Sequence, residues 1–464
     1  MNSLLGVNIN WPVFFIMAFI TLLIPGITIF SYCAILITLH QFLLLFYSIG
    51  YVNPVRYFFG SLMCLQLLLG PTFAYNVDIA KIQMRIPQAE YFSYVIPAVI
   101  FFIIGLHISC RKLEGEVLDE EKIKAYITSN KNLPFVFIGI GFLASYISDF
   151  FSSDVAFVFY LLSGMKFIGV FMIIMGSKKL KPLSLIIVYG SVFASSLQGA
   201  MFHDLLTWLI FLGAIFAIKY KPSVYIKAIM TIAFIVLSIF IQSVKKDYRT
   251  ATQEAGKSTG VETLTGVYEE NETQGSFLGA KSLSKNIVRI NQGYIVTNVM
   301  KTVPSVVPYS KGEELNQILI AAILPRIIAP DKLTAGNQEL FTKYTGLPLR
   351  KGTSMALSSV GDAYVNFGIA GGCIFMFFLG LLYSEVLKAF YRYGKNFPVL
   401  LLFVPLVFYY PIRPDCELQT ILGHLVKSCF LIFVIFLVWK KQFKVVTQSS
   451  GESIHSDTLV SSGG

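Results

Sequence analysis

Residues 28–49 read TIFSYCAILITLHQFLLLFYSI, twenty-two residues without a single Asp, Glu, Lys or Arg. As a helix rising 1.5 Å per residue this stretch covers about 33 Å, enough to cross a hydrocarbon layer of about 30 Å. A spanning strand would show a shorter segment of about ten residues with alternating polarity. Backbone N–H and C=O groups cannot stay unpaired in lipid, so an unbroken apolar block of this length specifies an α-helix.

Outward from that block the pattern repeats. Upstream, 4–24 forms a first apolar block, and Pro25-Gly26 turns the chain between the pair. Downstream, blocks fall at 55–74, 91–110, 134–149, 155–175, 183–201, 205–218 and 224–243, and the last three at 368–387, 397–411 and 420–439. The expected fold class is therefore an all-α polytopic membrane protein of twelve transmembrane helices with one large extracytoplasmic loop. The composition agrees: of 464 residues 55% are hydrophobic and only 14% charged, far from the balance of a soluble domain.

The net charge of +11 resides at the ends of apolar blocks rather than in one basic domain, which excludes a nucleic-acid partner and marks the lysines and arginines as topology anchors. Arg56, Arg111, Lys112, Lys178, Lys179, Lys181, Lys219, Lys221, Lys388, Arg392, Lys395, Lys440, Lys441 and Lys444 fall on one side of the twelve-helix arrangement, against only Lys81, Arg85 and Arg413 in the opposite short loops. Positive charge favours the cytoplasm, so both termini are expected inside. Residues 1–243 then hold helices 1–9, residues 244–367 the periplasmic loop, 368–440 helices 10–12, and 441–464 a disordered cytoplasmic tail.

Five of the six cysteines, Cys33, Cys64, Cys110, Cys373 and Cys429, lie within or at the ends of apolar blocks, and no CxxC pair occurs. Neither a metal centre nor a disulfide framework is expected. The first block has no basic leader and no small-residue cleavage site, so it is expected to be retained. Within the loop, the polar run 248–279 reads as flexible. Residues 285–301 show helical apolar spacing suited to lying on a membrane surface. Residues 315–328 are apolar but interrupted by Pro325, too short to span, and are expected to re-enter the membrane or pack on the bundle.

The distinctive text is LPRIIAPDKL at 324–333, GNQELFTKYTGLP at 336–348 and GTSMALSSVGDAYVNFGIAGGCIFMFFLG at 352–380. It resembles the Wzy-type oligosaccharide repeat-unit polymerases, in which a proline-rich segment precedes a signature leading from the outer loop into a membrane helix. Pro325-Arg326, Pro330, Lys332, Gly352-Thr353-Ser354, Gly361-Asp362, Tyr364, Asn366-Phe367-Gly368 and Gly371 carry the resemblance. It implies a glycosyltransferase of the bacterial cytoplasmic membrane that passes a growing glycan from undecaprenyl diphosphate to a new lipid-linked repeat unit. It further implies a flippase and a chain-length regulator as partners, membrane lipids as surroundings, and no cofactor. Two other readings share the membrane plan: a polysaccharide flippase, which is not an enzyme, and the ligase that moves finished O-antigen.

Breaking a sugar–diphosphate bond needs cationic groups at the leaving diphosphate and an acceptor for the incoming hydroxyl proton. Arginine suits the first task because its planar fork stays charged and donates two parallel bonds. Arg326 and Arg350, with Lys332 and Lys351 beside them, are the loop candidates; Arg413 with Asp415 forms a second group at the outer end of a span. Asp362 is the candidate base, the alternative being a cap on the next helix. Tyr364 and Asn366 are placed to bind sugar hydroxyls, or to shape a turn. His203-Asp204 pairs a base with a carboxylate, although neighbours on a helix point in different directions. Lys166, mid-span, is expected to face the bundle interior, as a partner of Asp149 or Asp154 or as a lure for an anionic substrate.

Overall fold

The computed structural model describes residues 7–76, 83–110, 113, 120–151, 153–176, 182–254, 260–273, 290–324, 328–349 and 354–443, and no strand occurs among them. The first half comprises α1 (Trp11–Leu22), α2 (Ile29–Ser48), α3 (Val55–Asn76, with a π-helical stretch at Leu65–Leu69), α4 (Gln88–Ile108), α5 (Glu120–Ser129) and α6 (Leu133–Ile147). It continues through α7 (Ser153–Ser163), α8 (Met165–Gly176), α9 (Pro182–Gln198), α10 (His203–Tyr220) and α11 (Val224–Arg249). The second half holds α12 (Val261–Thr273), α13 (Gly293–Thr302), α14 (Glu313–Ile323), α15 (Gln338–Thr345), α16 (Ser358–Gly394), α17 (Pro398–Val407, mostly 3-10) and α18 (Leu418–Phe443).

Among the described residues eight helices are long and apolar enough to cross a membrane: Ile29–Ser48, Val55–Asn76, Gln88–Ile108, Ala156–Gly176, His203–Tyr220, Val224–Gln242, Ser358–Gly394 and Leu418–Lys440. Four shorter apolar helices, Trp11–Leu22, Leu133–Ile147, Pro182–Gln198 and Pro398–Val407, fall on the remaining expected blocks. Helix starts follow local chemistry. The Asn10 side chain accepts from the Val13 N–H at 3.2 Å to open α1, and Thr28 Oγ1 accepts from the Ser31 N–H at 3.1 Å to open α2.

The centre of the bundle is the pair α4 and α16, the most extensive helix contact. Two glycines let their backbones approach. A Cβ on Gly105 would collide with the Phe377 carbonyl oxygen and stand 2.9 Å from the Leu381 nitrogen; one on Gly380 would collide with the Phe102 carbonyl oxygen and stand 2.9 Å from the Leu106 nitrogen. Close packing through small residues is how helices associate without a hydrophobic gradient between them. Helix α16 is broken at Gly368, whose φ of 66° and ψ of −158° suit glycine alone. The break separates a buried first section from the long apolar span, where membrane entry was expected.

Of the run 248–279 expected to be flexible, residues 255–259 and 274–279 lie outside those described, and the described remainder is largely helical. Helix α11 continues to Arg249 and a π-helical turn carries it to Glu254, while α12 occupies part of the run expected to be flexible. The surface-helix expectation for 285–301 needs correction over its described part: Ile295, Val296, Val299 and Met300 of α13 are buried. They pack against α15, α16 and the π-helical part of α3, so protein rather than lipid covers the apolar face. Helix α14 packs on α18, the bundle-packing alternative for 315–328.

Candidate functional site

The turn between α17 and α18, FYYPIRPDCE at 408–417, organises the polar groups. Pro411 and Pro414 lack N–H donors, which prevents the chain from continuing as helix. The turn closes on itself through Ile412 N to Phe408 O at 3.0 Å, Arg413 N to Tyr410 O at 3.0 Å and Cys416 N to Arg413 O at 3.3 Å.

On one side of this turn stands the start of α10. His203 Nε2 lies 2.7 Å from Asp204 Oδ1, and the Tyr409 hydroxyl donates to the same carboxylate oxygen. The tyrosine ring is held by stacking on Trp208 (5.4 Å between centroids), which stacks in turn on Phe167 at 3.7 Å. Arg413 Nη2 donates to Asp415 Oδ2 at 3.2 Å and its guanidinium lies 5.6 Å from the Tyr410 ring centre. Burial alone would weaken its hold on the proton, but Asp415, through charge and hydrogen bond, together with Cys416 and Tyr409, outweighs this and keeps the guanidinium above its usual value. Arg413, Lys166 and Tyr160 all lie within electrostatic reach of Asp204. Lys166 Nζ donates to Ser145 Oγ at 3.2 Å; the side chains of Asp149 and Asp154 are outside those described.

On the other side the signature segment serves as a clip. Asp362, 4% exposed, accepts the Leu418 N–H on Oδ2 at 2.9 Å. It therefore caps α18, a helix distant in sequence, rather than the span that follows it. One turn further, Asn366 Oδ1 accepts from Ser310 Oγ at 2.8 Å and from the Leu315 N–H at 3.0 Å, while its Nδ2 donates to the Asp362 backbone oxygen at 2.8 Å. Asn366 thereby caps α14. Tyr364 is packed between rings, 5.0 Å from Tyr94 and 5.7 Å from Tyr309, whose hydroxyl donates to its own at 3.4 Å. Lys332 Nζ donates to the carbonyl oxygens of Ala321 (3.2 Å) and Leu324, closing the C-terminus of α14.

Glu417 Oε1 accepts from the Gly336 N–H and from Thr420 Oγ1, each at 2.8 Å, and Gln419 Nε2 donates to Leu333 O at 2.8 Å. These bonds tie the 328–337 segment to α18. Between them opens a hollow of about 350 Å³, part of it open to solvent, lined by Leu333, Asn337, Phe341, Met355, Asp362 and Glu417 among others.

The structure thus brings together His203, Asp204, Arg413 and Asp415 around the turn, and sets Asp362 and Asn366 behind it. Arg326, Arg350 and Lys351 lie outside the described residues. Tyr409 and Tyr160 were not singled out in the sequence; the only local signal was a tyrosine pair just before Pro411. Among the described residues no group of three His, Cys, Asp and Glu side chains converges to hold a metal ion.

A family described as a domain of unknown function, DUF8712, matches residues 57–441, and the chain belongs to that family. No curated protein and no solved structure matches the chain.

Proposed function

We propose that this DUF8712 protein polymerises undecaprenyl-diphosphate-linked oligosaccharide repeat units into a surface polysaccharide on the outer face of a bacterial cytoplasmic membrane. The observation that carries the reading is the meeting of Asp204, His203 and Tyr409 with Arg413 and Asp415 at the ends of apolar helices. The Arg413 side chain is only 19% exposed there, and charge withdrawn from water is costly to keep and is concentrated where it is used. The resemblance of 324–380 to Wzy-type polymerases supports the reaction class.

In this mechanism a hydroxyl at the non-reducing end of the new repeat unit attacks the anomeric carbon of the growing glycan. The bond from that carbon to the diphosphate oxygen breaks, and the hydroxyl proton passes to Asp204, which His203 and Tyr409 orient. The departing diphosphate takes up the negative charge and is met by Arg413, which exchanges its single bond to Asp415 for paired bonds to phosphate oxygens. The resemblance implies a part for Arg326, Arg350, Lys332 and Lys351 in gripping the same diphosphate. The energy resides in the sugar–diphosphate bond, so neither nucleotide nor cofactor is consumed.

The reading includes the membrane plan: twelve spans counting the four shorter helices, both termini cytoplasmic, and 244–367 outside. A chain-length regulator and a flippase are its expected partners. The test is to incubate the purified full-length protein with synthetic undecaprenyl-diphosphate repeat units and separate the products. A ladder of regularly spaced polymers without nucleotide sugar supports the proposal. Absence of a ladder together with lipid translocation in vesicles would favour a flippase, and transfer of one finished glycan to a lipid A core a ligase.

A further inference from the structure

Asp362 and Asn366 sit one turn apart on a single face of α16 and hold the N-termini of two other helices. The Asp362 carboxylate receives the first N–H of α18, and the Asn366 amide receives the third N–H of α14 together with the Ser310 hydroxyl. Helices α14 and α18 pack on each other, so both are suspended by their positive ends from the same turn of α16. What precedes α18 is the turn bearing Arg413, Asp415 and Cys416. Its position relative to Asp204 is set by where α18 begins.

We infer that Asp362 is a positioning residue, which fixes the start of α18 and thereby the Arg413 turn against Asp204, and that it exchanges no proton with substrate. The inference rests on the polymerase reading for what the turn does, though not for where it is held. Three observations carry it. Asp362 is 4% exposed, so only a small part of it reaches the hollow that it helps line. One of its oxygens is committed to the Leu418 N–H, one of the first-turn donors of α18 that have no partner within the helix. Burial first, and then the charges of Glu417 and Glu314, disfavour a negative carboxylate there, so a neutral group with the same acceptor oxygen suits the site at least as well.

Asn caps helices as well as Asp does, whereas Ala does not. Asp362→Asn is therefore expected to keep polymerisation within about threefold of wild type, and Asp362→Ala to lose on the order of tenfold or more. A second readout is independent of activity. Cys416 lies in the turn, 8% exposed, and its reaction with a maleimide, taken as the difference between full-length chains with and without Cys416, reports whether the turn is seated. Asp362→Ala should raise that rate about tenfold and Asp362→Asn should leave it unchanged.

If Asp362→Asn abolishes the ladder while Cys416 stays as protected as in wild type, Asp362 acts in the chemistry and the inference is overturned. It is equally overturned if Asp362→Ala alters neither readout. Should Asp362→Ala fail to fold, Asp362→Asn against wild type still decides between the two roles. Should wild type yield no ladder, the polymerase reading fails while the thiol measurement still tests how the turn is held.

Discussion

The contact between α4 and α16 makes a quantitative demand on two glycines. A Cβ at Gly105 meets the Phe377 carbonyl oxygen and the Leu381 nitrogen, and one at Gly380 meets the Phe102 carbonyl oxygen and the Leu106 nitrogen. Both clashes are with backbone, so no side-chain rotation relieves them and the helices must separate by on the order of 1 Å. Overpacking of this kind costs about 1–3 kcal/mol, against which the helix preference of Ala over Gly returns about 0.5–1 kcal/mol. Gly105→Ala and Gly380→Ala should each therefore destabilise by about 1–2 kcal/mol. Because the glycines face each other across one crossing, a single separation relieves both clashes. The double variant should fall short of the sum by at least about 1 kcal/mol. Equilibrium unfolding in mixed micelles, followed by circular dichroism, measures all three. Gly213→Ala is the control: nothing lies within 4 Å of its added Cβ, and it should be neutral or stabilising. Singles that cost under about 0.5 kcal/mol, or a strictly additive double, would refute the close approach of the two backbones.

Three further outcomes follow from the site. Tyr409→Phe keeps the ring on Trp208 but removes the donor to Asp204; polymerisation should fall on the order of tenfold with the unfolding midpoint unchanged, and full activity would detach Tyr409 from the chemistry. Arg413→Lys should be nearly as damaging as Arg413→Ala, each losing roughly a hundredfold in polymer yield, because an ammonium cannot supply a two-pronged grip; half-normal activity from the lysine variant would remove that requirement. Burial pushes the Cys416 thiol up from 9.0 to about 12. The thiolate is the minority form below that value, so alkylation of the folded chain should climb with pH through 9 and 10 without levelling, and at pH 8 run roughly a thousandfold slower than an ordinary thiol. A plateau near pH 9 would mean the turn is open.

The membrane helices could be read directly because apolar length is a local property, and every block found in the sequence falls on a helix. Length was less legible: the first helix begins only at Trp11 and Pro398–Val407 stops early, the latter where Phe397-Pro398 and Pro405 favour tight turns over a regular helix. Amphipathic spacing in 285–301 marked an apolar face but carried no information about what covers it. In the site, Asp204 and Arg413 could be flagged as charges at span ends, whereas Tyr409, which donates to Asp204, is 205 residues from it, a pairing that only the fold reveals. His203 and Asp204 meet although they are neighbours, because α10 begins at His203 and its ring is free to fold back over the first turn. Asp362 was legible as a possible cap, but the helix it caps was not, since Leu418 lies 56 residues on.

The most direct test of the account confines substrate to one side of the membrane. A water-soluble, short-chain analogue of the diphosphate-linked repeat unit is added to sealed vesicles containing the protein alone, in right-side-out and inside-out orientations. Polymer should form only in the right-side-out vesicles, and should vanish there with Arg413→Ala. Polymer confined to inside-out vesicles would put the Asp204–Arg413 site on the cytoplasmic side and contradict the proposed mechanism.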